Sequence, residues 1–240
     1  MLVDAAAVRR VGAHPAVVAA LLTIQNGVGF FGASPREPEE VARTMEAVLA
    51  TGAVGAVKTG ALGDGRVVRA VARVLESMRQ IPLVVDPVLA SSSGGALIDR
   101  DGVEAMLELL VPRAALVTPN LAEAAALVGF EVADPGGMAR AAREIGRLGA
   151  RAVLVKGGHL VGTRLLDMLW TPSNEALLEA DRLPEGDVRG TGCALAAAAG
   201  AGLALGEPVE RAVELARAVV RGAIGRAVRA GEGPRVLVFD

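Results

Sequence analysis

Short apolar runs rich in Val and Leu alternate along this chain with longer segments in which apolar residues recur every three or four positions. The short runs are typical of buried strands, and the longer segments are typical of amphipathic helices. Their alternation predicts an α/β fold in which helices cover both faces of a mostly parallel sheet, a three-layer sandwich. The predicted strands are 15–24, 54–58, 82–86, 114–117, 152–156, 163–170 and 235–239.

The segments between these strands have helical periodicity, and several carry charges opposite the apolar face. Hydrophobic residues make up 52% of the chain and aromatic residues only 2%, so the core must consist mainly of Ala, Val and Leu. No repeat or linker divides the chain, so we predict one domain over 1–240. The predicted helices are 39–50, 66–78, 101–110, 120–128, 136–149, a buried helix at 191–205 and a surface-facing helix at 209–229.

Charge and cysteine content limit the possible functions. With 25 Lys and Arg against 27 Asp and Glu, the formal net charge is -2, which gives no general attraction to nucleic acid or anionic lipid. We therefore expect neither nucleic acid nor a membrane as a partner, and any phosphate site must be local. The only cysteine, Cys193, excludes an intramolecular disulfide and favours the cytoplasm. The apolar run at 15–24 is too short to span a bilayer.

The strongest chemical signal is a glycine turn, RGTGC, directly before the apolar helix 191–205. Gly190 and Gly192 flank Thr191, so backbone N–H groups can converge there without obstruction by Cβ atoms. These groups and the positive end of the helix dipole attract an anion, and a phosphoryl group is the natural ligand. Cys193 lies in the first turn, where the dipole is expected to lower the pKa of the thiol. The alternative is a helix cap followed by a small buried cysteine.

Two predicted strand ends carry polar side chains. Asn120 and Glu123 follow the strand 114–117, where an amide and a carboxylate could hold magnesium through water and order ATP phosphates. The alternative for this pair is an ordinary helix cap. Asp86 ends the strand 82–86 and is either a magnesium or proton-handling carboxylate or a strand terminator before proline.

Two further segments complete the candidates. The loop 91–95 is built from serine and glycine and could close over a substrate to exclude water. Lys156, which ends the strand 152–156, is a candidate for contact with phosphates. Neither a Walker A loop nor a dinucleotide-binding fingerprint is present, because the Gly-Lys-Ser/Thr ending and a GxGxxG after the first strand are missing. The sequence therefore indicates another phosphate-handling fold.

Six sequence motifs, which are spread along nearly the whole chain, occur in the same order as in a known protein family. They read LTIQN, VKTGALGD, VVDPVL with SSSGGALI, LVTPNLAEAAALVG, VLVKGGHL and GTGCALAAAAGAGLALG. This series resembles the hydroxymethylpyrimidine and phosphomethylpyrimidine kinases of thiamine biosynthesis, within the ribokinase superfamily. The resemblance implies a ribokinase-like fold, the use of ATP and Mg²⁺, and phosphorylation of 4-amino-5-hydroxymethyl-2-methylpyrimidine and then of its monophosphate.

By position, the resemblance gives the glycine turn a catalytic role. Cys193 matches the family's catalytic base. Gly190, Thr191 and Gly192 match an anion hole that steadies the transferred phosphoryl group, where charge spreads in the transition state.

The resemblance also implies a substrate pocket and a nucleotide site. Gln25 matches the residue that hydrogen-bonds the pyrimidine, a role that suits an amide because it both donates and accepts. Asp86 and Val88 match the strand end that lines the pocket, and Ala61 stands where a methionine is common, which leaves a roomier site. The residues assigned to ATP or phosphate are Asn120, Glu123, Lys156 and Arg189, with Asp86 and Glu123 as the metal ligands.

The chain departs from the family pattern in several places. The strand and glycine-rich segments that usually precede the first helix are not in this sequence, whose first predicted helix lies near 2–8. In the loop, Ser91-Ser92-Ser93-Gly94 replaces the usual Ala-Lys-Ser-Gly, which removes a lysine expected to meet ATP phosphates. Ahead of the glycine turn, Val188-Arg189 replaces the usual Thr-His, and Arg189 could itself bind phosphate.

Alternatives to this kinase activity stay open at the level of sequence. A non-catalytic homologue would bind a thiamine precursor or a nucleotide on the same scaffold. Another kinase would phosphorylate a pyridoxal-like or sugar-like alcohol, because the fold and the anion hole do not determine the acceptor. Gln25 and Cys193 favour the pyrimidine. Family likeness also favours a homodimer.

Overall fold

The structure is a computed structural model that describes residues 1–26, 28–158, 160, 162–186, 188–229 and 231–239. Its helices are α1 Leu2–Val11, α2 Pro38–Leu49, α3 Gly65–Glu76, α4 Arg100–Ala105, α5 Leu121–Val128, α6 Pro135–Arg147, α7 Thr191–Ala204 and α8 Val209–Ile224. Its strands are β1 Leu21–Gln25, β2 Phe30–Pro35, β3 Val57–Thr59, β4 Leu83–Val85, β5 Leu116–Val117, β6 Val153–Lys156, β7 Arg164–Thr171, β8 Asn174–Asp181, β9 Val188–Arg189 and β10 Arg235–Val236.

The main sheet has six strands in the order β3-β4-β5-β6-β7-β8. The strands from β3 to β6 pair in parallel, and β7 and β8 extend the sheet by antiparallel pairing. The predicted mostly parallel sheet is confirmed. Because parallel strands end at the same edge of a sheet, the residues after β3, β4, β5 and β6 come together there.

Two hydrophobic clusters lie on opposite faces of this sheet, because successive side chains of a strand point to opposite sides. Val85 packs in the cluster that includes buried residues of α2, α3, α5 and α6. Its neighbour Val84 packs in the cluster formed with α1, α7 and α8. The predicted three-layer sandwich, with helices on both faces, is therefore confirmed.

Helix α7 is almost entirely buried, as predicted for 191–205, and small side chains permit this. A Cβ atom on Gly202 would lie 2.9 Å from Cβ of Ala212 in α8, so only glycine allows the two helices to approach this closely. The surface-facing helix expected at 209–229 is present as α8, which exposes charged residues and buries Ala212, Val213 and Ala216 on its other face, but it ends at Ile224. Among the residues that the structure describes, no helix is long and apolar enough to cross a bilayer.

Several predicted boundaries were wrong. The predicted strand 15–24 is instead β1, which begins at Leu21 and pairs with the unpredicted β2 in a separate two-stranded sheet. The unpredicted β8 carries alternating exposed polar residues and is fixed by its pairing with β7. The predicted strand 235–239 is reduced to β10, which pairs with β9 outside the main sheet. The helix expected at 101–110 continues beyond α4 as a π-helical segment, Met106–Leu110.

The antiparallel pair of β1 and β2, called the hairpin below, rests on loops at the carboxyl edge of the sheet. Gly63, after β3, has a φ of 87°, and a Cβ atom there would lie 2.7 Å from Cγ of Pro35. Gly95, after β4, faces the ring of Phe30, which a Cβ atom would meet at 2.0 Å. Both contacts require glycine, and they place the hairpin beside the loops that follow β3 and β4.

Candidate active site

The glycine turn, which is the predicted anion seat, lies at the start of α7. Gly190 adopts the left-handed conformation with a φ of 84°, which glycine accepts without strain. Among the residues that the structure describes, no side chain caps this helix, so its first N–H groups keep their capacity to bind a ligand. A Cβ atom on Gly192 would lie 3.1 Å from Nζ of Lys156, so the ammonium group stands directly beside the turn. The predicted Gly190, Thr191, Gly192 and Lys156 are thus brought together.

A buried cluster of charged side chains lies at the same edge of the sheet. Asp86, only 1% exposed, has its Oδ1 atom 3.1 Å from Nζ of Lys156 and its Oδ2 atom 3.5 Å from Nζ of Lys58. The Lys58 ammonium group is also 3.0 Å from Oδ2 of Asp4 in α1. Positive and negative groups therefore alternate through the cluster, which compensates for their removal from water.

The alternation keeps these groups ionised. Burial alone would raise the pKa of Asp86, but Lys156 and Lys58 outweigh it and hold the pKa below its usual value. Burial alone would lower the pKa values of both lysines. The carboxylate of Asp86 reverses this effect, with further contributions from Asp4 and Cys193 at Lys58 and from Glu123 at Lys156, so both pKa values are raised.

Cys193 lies partly buried in the first turn of α7, and its sulfur is a free thiol. Burial, followed by the negative charge of Asp86, raises the pKa of this thiol to about 11 against the smaller opposing effect of Lys58 and Lys156. The predicted lowering of the pKa by the helix dipole is therefore wrong in direction. A thiolate at this position requires removal of a proton that the pocket holds firmly at neutral pH.

Asn120 and Glu123 form a capping box at the start of α5. The side chain of Asn120 accepts a hydrogen bond of 2.9 Å from N–H of Glu123, and Oε2 of Glu123 accepts one of 2.7 Å from N–H of Asn120. The capping arrangement that the sequence left as an alternative is thus present. Burial raises the pKa of Glu123, partly opposed by Lys156. Within the described part of the chain, no three His, Cys, Asp or Glu side chains meet in a way that could hold a metal ion.

The predicted substrate-binding residues are divided between two elements. Ala61 and Val88 are partly buried in the segments after β3 and β4, on the same edge as Asp86. The N–H group of Val88 donates to the carbonyl of Asp86 over 2.8 Å, which fixes the start of this segment. Gln25 is exposed at the end of β1 in the hairpin. The residues predicted to bind the acceptor therefore lie partly at the sheet edge and partly in the hairpin.

Arg189 joins the hairpin to the loop 91–95. Its Nη1 atom donates to the carbonyl of Asn26 over 2.7 Å, and its Nη2 atom donates to Oγ of Ser93 over 3.0 Å. Within the loop, N–H of Ser91 donates to the carbonyl of Gly95 over 2.7 Å. The loop is thus a closed turn that is held from two sides, by Arg189 and by the ring of Phe30.

Sequence reasoning missed Lys58 and Asp4. A signal for Lys58 was present, because it lies near the carboxyl end of a buried strand, where site residues of parallel sheets collect. For Asp4 there was no such signal, since an acidic residue in the first turn of a helix is ordinarily a favourable partner of the helix dipole. Only the packing of α1 against α7 brings its carboxylate to Lys58.

Together with the mixed sheet and its two helical layers, the anion seat places the chain in the ribokinase-like class of small-molecule kinases. A family model described as phosphomethylpyrimidine kinase matches residues 1–237. A hydroxymethylpyrimidine/phosphomethylpyrimidine kinase of Rhizobium meliloti is 41% identical over 93% of this chain and 85% of its own length. A bifunctional thiamine biosynthesis protein of Geobacter sulfurreducens is 37% identical over 96% of this chain and 47% of its own length. The chain belongs to the phosphomethylpyrimidine kinase family.

Solved structures agree with this assignment. A phosphomethylpyrimidine kinase from Clostridium difficile 630 superposes with a TM-score of 0.80 at 29% identity, covering 92% of this chain and 91% of its own. A pyridoxal kinase from Staphylococcus aureus in complex with AMP-PCP and pyridoxal superposes with a TM-score of 0.89 at 27% identity, covering 98% of this chain and 86% of its own. The predicted ribokinase-like fold is confirmed.

Proposed function

We propose that this chain transfers the terminal phosphoryl group of ATP to the hydroxymethyl group of 4-amino-5-hydroxymethyl-2-methylpyrimidine, and then a second one to the resulting monophosphate. The observation that carries the proposal is the uncapped glycine turn beside Lys156, at the edge where a parallel sheet binds its ligands. The names of the Rhizobium meliloti and Clostridium difficile relatives support the choice of acceptor.

In the proposed reaction, the acceptor oxygen attacks the terminal phosphorus of ATP, the bond to the bridging oxygen breaks, and ADP leaves. The N–H groups of Gly190, Thr191 and Gly192, with the ammonium group of Lys156, stabilise charge on the transferred group. Cys193, as a thiolate, takes the proton of the attacking hydroxyl group in the first transfer. The raised pKa of Cys193 makes the supply of thiolate a limit on this step at neutral pH.

Magnesium is part of the proposal, and the two predicted ligands fit it unequally. Asp86 lies between two ammonium groups, which repel a divalent cation and leave the carboxylate suited to holding the lysines. Glu123 can hold a water of the metal through Oε1, since only Oε2 is used in the capping box. Mg²⁺ in kinases is bound mainly by substrate phosphates and water and supplies neutralisation of the phosphate charge. Asn120 would fix Glu123 in place for this role.

The acceptor would bind between the sheet edge and the hairpin. In the proposed mode, Gln25 pairs with the polar edge of the pyrimidine, while Val88 and Ala61 line the space against its ring. The partial burial of Val88 and Ala61 and the exposure of Gln25 support this division into an apolar wall and a polar rim.

We further propose that residues 1–240 act as one domain and that two copies associate through the hairpin. Leu22 and Ile24 share one face of β1 and are 47% and 68% exposed, and Phe31 on β2 is 68% exposed. Large apolar side chains exposed on a two-stranded sheet favour a protein partner, and a second copy of this chain is the partner we propose. Use of ATP and a reduced thiol at Cys193 support a location in the cytoplasm.

The function is tested by incubating the purified chain with ATP, Mg²⁺ and either the pyrimidine alcohol or its monophosphate. We expect ADP to form only when an acceptor is present, and mass spectrometry should show the monophosphate followed by the diphosphate. Pyridoxal serves as the competing acceptor and should react with a lower kcat/KM. Binding of the pyrimidine without any phosphorylated product would contradict the proposed reaction, and a preference for pyridoxal would contradict the proposed acceptor.

A further inference from the structure

Arg189 lies between the two halves of the proposed site. The next residue along the chain, Gly190, begins the anion seat. The Nη1 atom of Arg189 holds the carbonyl of Asn26, the residue that follows Gln25 at the end of β1. The guanidinium group therefore connects the proposed pyrimidine-binding end of the hairpin with the place where the phosphoryl group is proposed to be transferred.

The hydrogen-bond partners of this guanidinium group leave its charge uncompensated. Its two acceptors are a backbone carbonyl and the hydroxyl of Ser93, which are both neutral. Among the described residues, no carboxylate forms an ion pair with Arg189, and its Nε atom is buried without a hydrogen-bond partner. A buried donor without a partner is costly, and a guanidinium group offers parallel N–H donors that match the oxygens of a phosphate. Arg189 therefore has both the charge and a free N–H donor with which to bind an anion.

The positions of Lys156 and Arg189 indicate which anion Arg189 would bind. Lys156 stands on the Gly192 side of the turn, where a Cβ atom would lie 3.1 Å from its Nζ atom, and in the proposed reaction it serves the phosphoryl group delivered by ATP. Arg189 donates to the carbonyl of Asn26 on the hairpin side, where the proposed function places the acceptor. An acceptor that already carries one phosphate brings new negative charge to that side, whereas the unphosphorylated alcohol brings none.

Resting on the proposed function, we infer that Arg189 binds the phosphate of the pyrimidine monophosphate and is a specificity-determining residue for the second transfer. The second transfer brings two anions together, the monophosphate and ATP, so a cation on the acceptor side lowers their repulsion. The first transfer has a neutral acceptor, and the same cation has no acceptor charge to neutralise. Loss of the guanidinium group should therefore change the ratio of the two activities.

The test compares Arg189→Gln with the wild type in kcat/KM for the alcohol and for the monophosphate. Glutamine keeps an N–H donor for Asn26 or Ser93 but removes the charge. We expect the ratio of kcat/KM for the monophosphate to that for the alcohol to fall about 10- to 100-fold, the usual effect of losing a charged hydrogen bond. Arg189→Lys should recover part of the loss, because it restores the charge without the planar fork.

Arg211→Gln is the matched control, since Arg211 is exposed on α8 and pairs with Glu214. It removes the same charge from the whole molecule and should leave both activities unchanged. An equal loss of both activities in Arg189→Gln would overturn the inference and would show that Arg189 serves ATP or fastens the hairpin. Unchanged activities would overturn it as well.

Equilibrium binding separates this inference from the proposed function. Calorimetry without ATP should show that the wild type binds the monophosphate more tightly than the alcohol, and that Arg189→Gln removes this difference. If the wild type forms no product, the proposed reaction fails, but the binding difference still decides the role of Arg189. If Arg189→Gln does not fold, Arg189→Lys provides the test, because it keeps the charge without the planar fork and should bind the monophosphate less tightly than the wild type while binding the alcohol equally well. Equal affinities of the wild type for the two acceptors would overturn the inference.

Discussion

The charged cluster at the sheet edge and the hairpin differ in almost every physical respect. Lys58 and Lys156 are 13% exposed and Asp86 is 1% exposed, and all three lie at or next to the ends of strands of the main sheet. The hairpin belongs to a separate two-stranded sheet, and its Ile24 and Phe31 are both 68% exposed. The charged cluster is buried and its charges are paired, whereas the hairpin exposes apolar side chains to solvent.

This difference indicates that the side chains of the two halves of the site are held in position by different interactions. The half that would receive ATP is held by the main sheet and by buried ion pairs, so its charges are oriented before a ligand arrives, which is what electrostatic stabilisation requires. The half that would receive the pyrimidine rests on close contacts at Gly63 and Gly95 and on the hydrogen bonds of Arg189. We expect substitutions in the first half to have larger effects than those in the second.

The largest effect is expected at Cys193. Cys193→Ala should lower kcat by about 10²- to 10⁴-fold, the usual contribution of a general base. Because the pKa of this thiol is raised to about 11, the thiolate fraction of the wild type should increase with pH through the neutral and alkaline range. The turnover rate should rise with it and level off only near that pKa. Steady-state kinetics of the first transfer between about pH 7 and pH 10 check the loss in Cys193→Ala and the rise of the wild-type rate with pH. Full turnover of the alcohol by Cys193→Ala would remove Cys193 as the base.

The next effect concerns the stability of the cluster. Asp86→Asn leaves two buried ammonium groups without their shared anion and should lower the free energy of unfolding by about 3–5 kcal/mol. Asp86 has a lowered pKa, so its contribution is present at neutral pH and is lost only as the pH falls below the usual carboxylate range. Urea denaturation at neutral and acidic pH measures this. Asp101→Asn, which removes an exposed carboxylate paired with Arg69, is the control and should have a much smaller effect.

A smaller effect is expected where the hairpin meets the loop 91–95. Gly95→Ala places a Cβ atom 2.0 Å from the ring of Phe30, so the ring and the hairpin must shift. We expect a loss of about 1–3 kcal/mol in the free energy of unfolding, together with a higher KM for the pyrimidine. Gly158→Ala is the matched control, because its Cβ atom would meet nothing within 4 Å. Equal effects of the two substitutions would show that the hairpin does not depend on this contact.

The smallest effect on stability is expected on the exposed face of the hairpin. Phe31→Ser should change the free energy of unfolding by less than about 0.5 kcal/mol, because the side chain is already largely in water. The same substitution should weaken the proposed dimer, which light scattering coupled to size-exclusion chromatography would detect. Leu148→Ser, at another exposed apolar position, is the control. A dimer that persists in Phe31→Ser would place the interface elsewhere.

The sequence by itself determined the layers of the fold and the glycine turn at the start of α7. Periodicity in the central strands and helices is local information, and burial on both faces of the sheet agrees with it. The glycine turn was also predictable, because a left-handed residue and an uncapped helix start leave a local sequence pattern. The capping pair at Asn120 and Glu123 has the same local character.

Tertiary structure decided the chemistry of the groups around that seat. The pKa of Cys193 is set by burial and by Asp86, which is far away in sequence, so reasoning from the helix dipole alone gave the wrong direction. Asp4 and Lys58 pair although they are 54 positions apart, and Arg189 reaches Asn26 across 163 positions. The hairpin likewise depends on contacts with Gly63 and Gly95. Charge interactions and close packing depend on distances in space, and the spacing of residues along the chain does not give these distances.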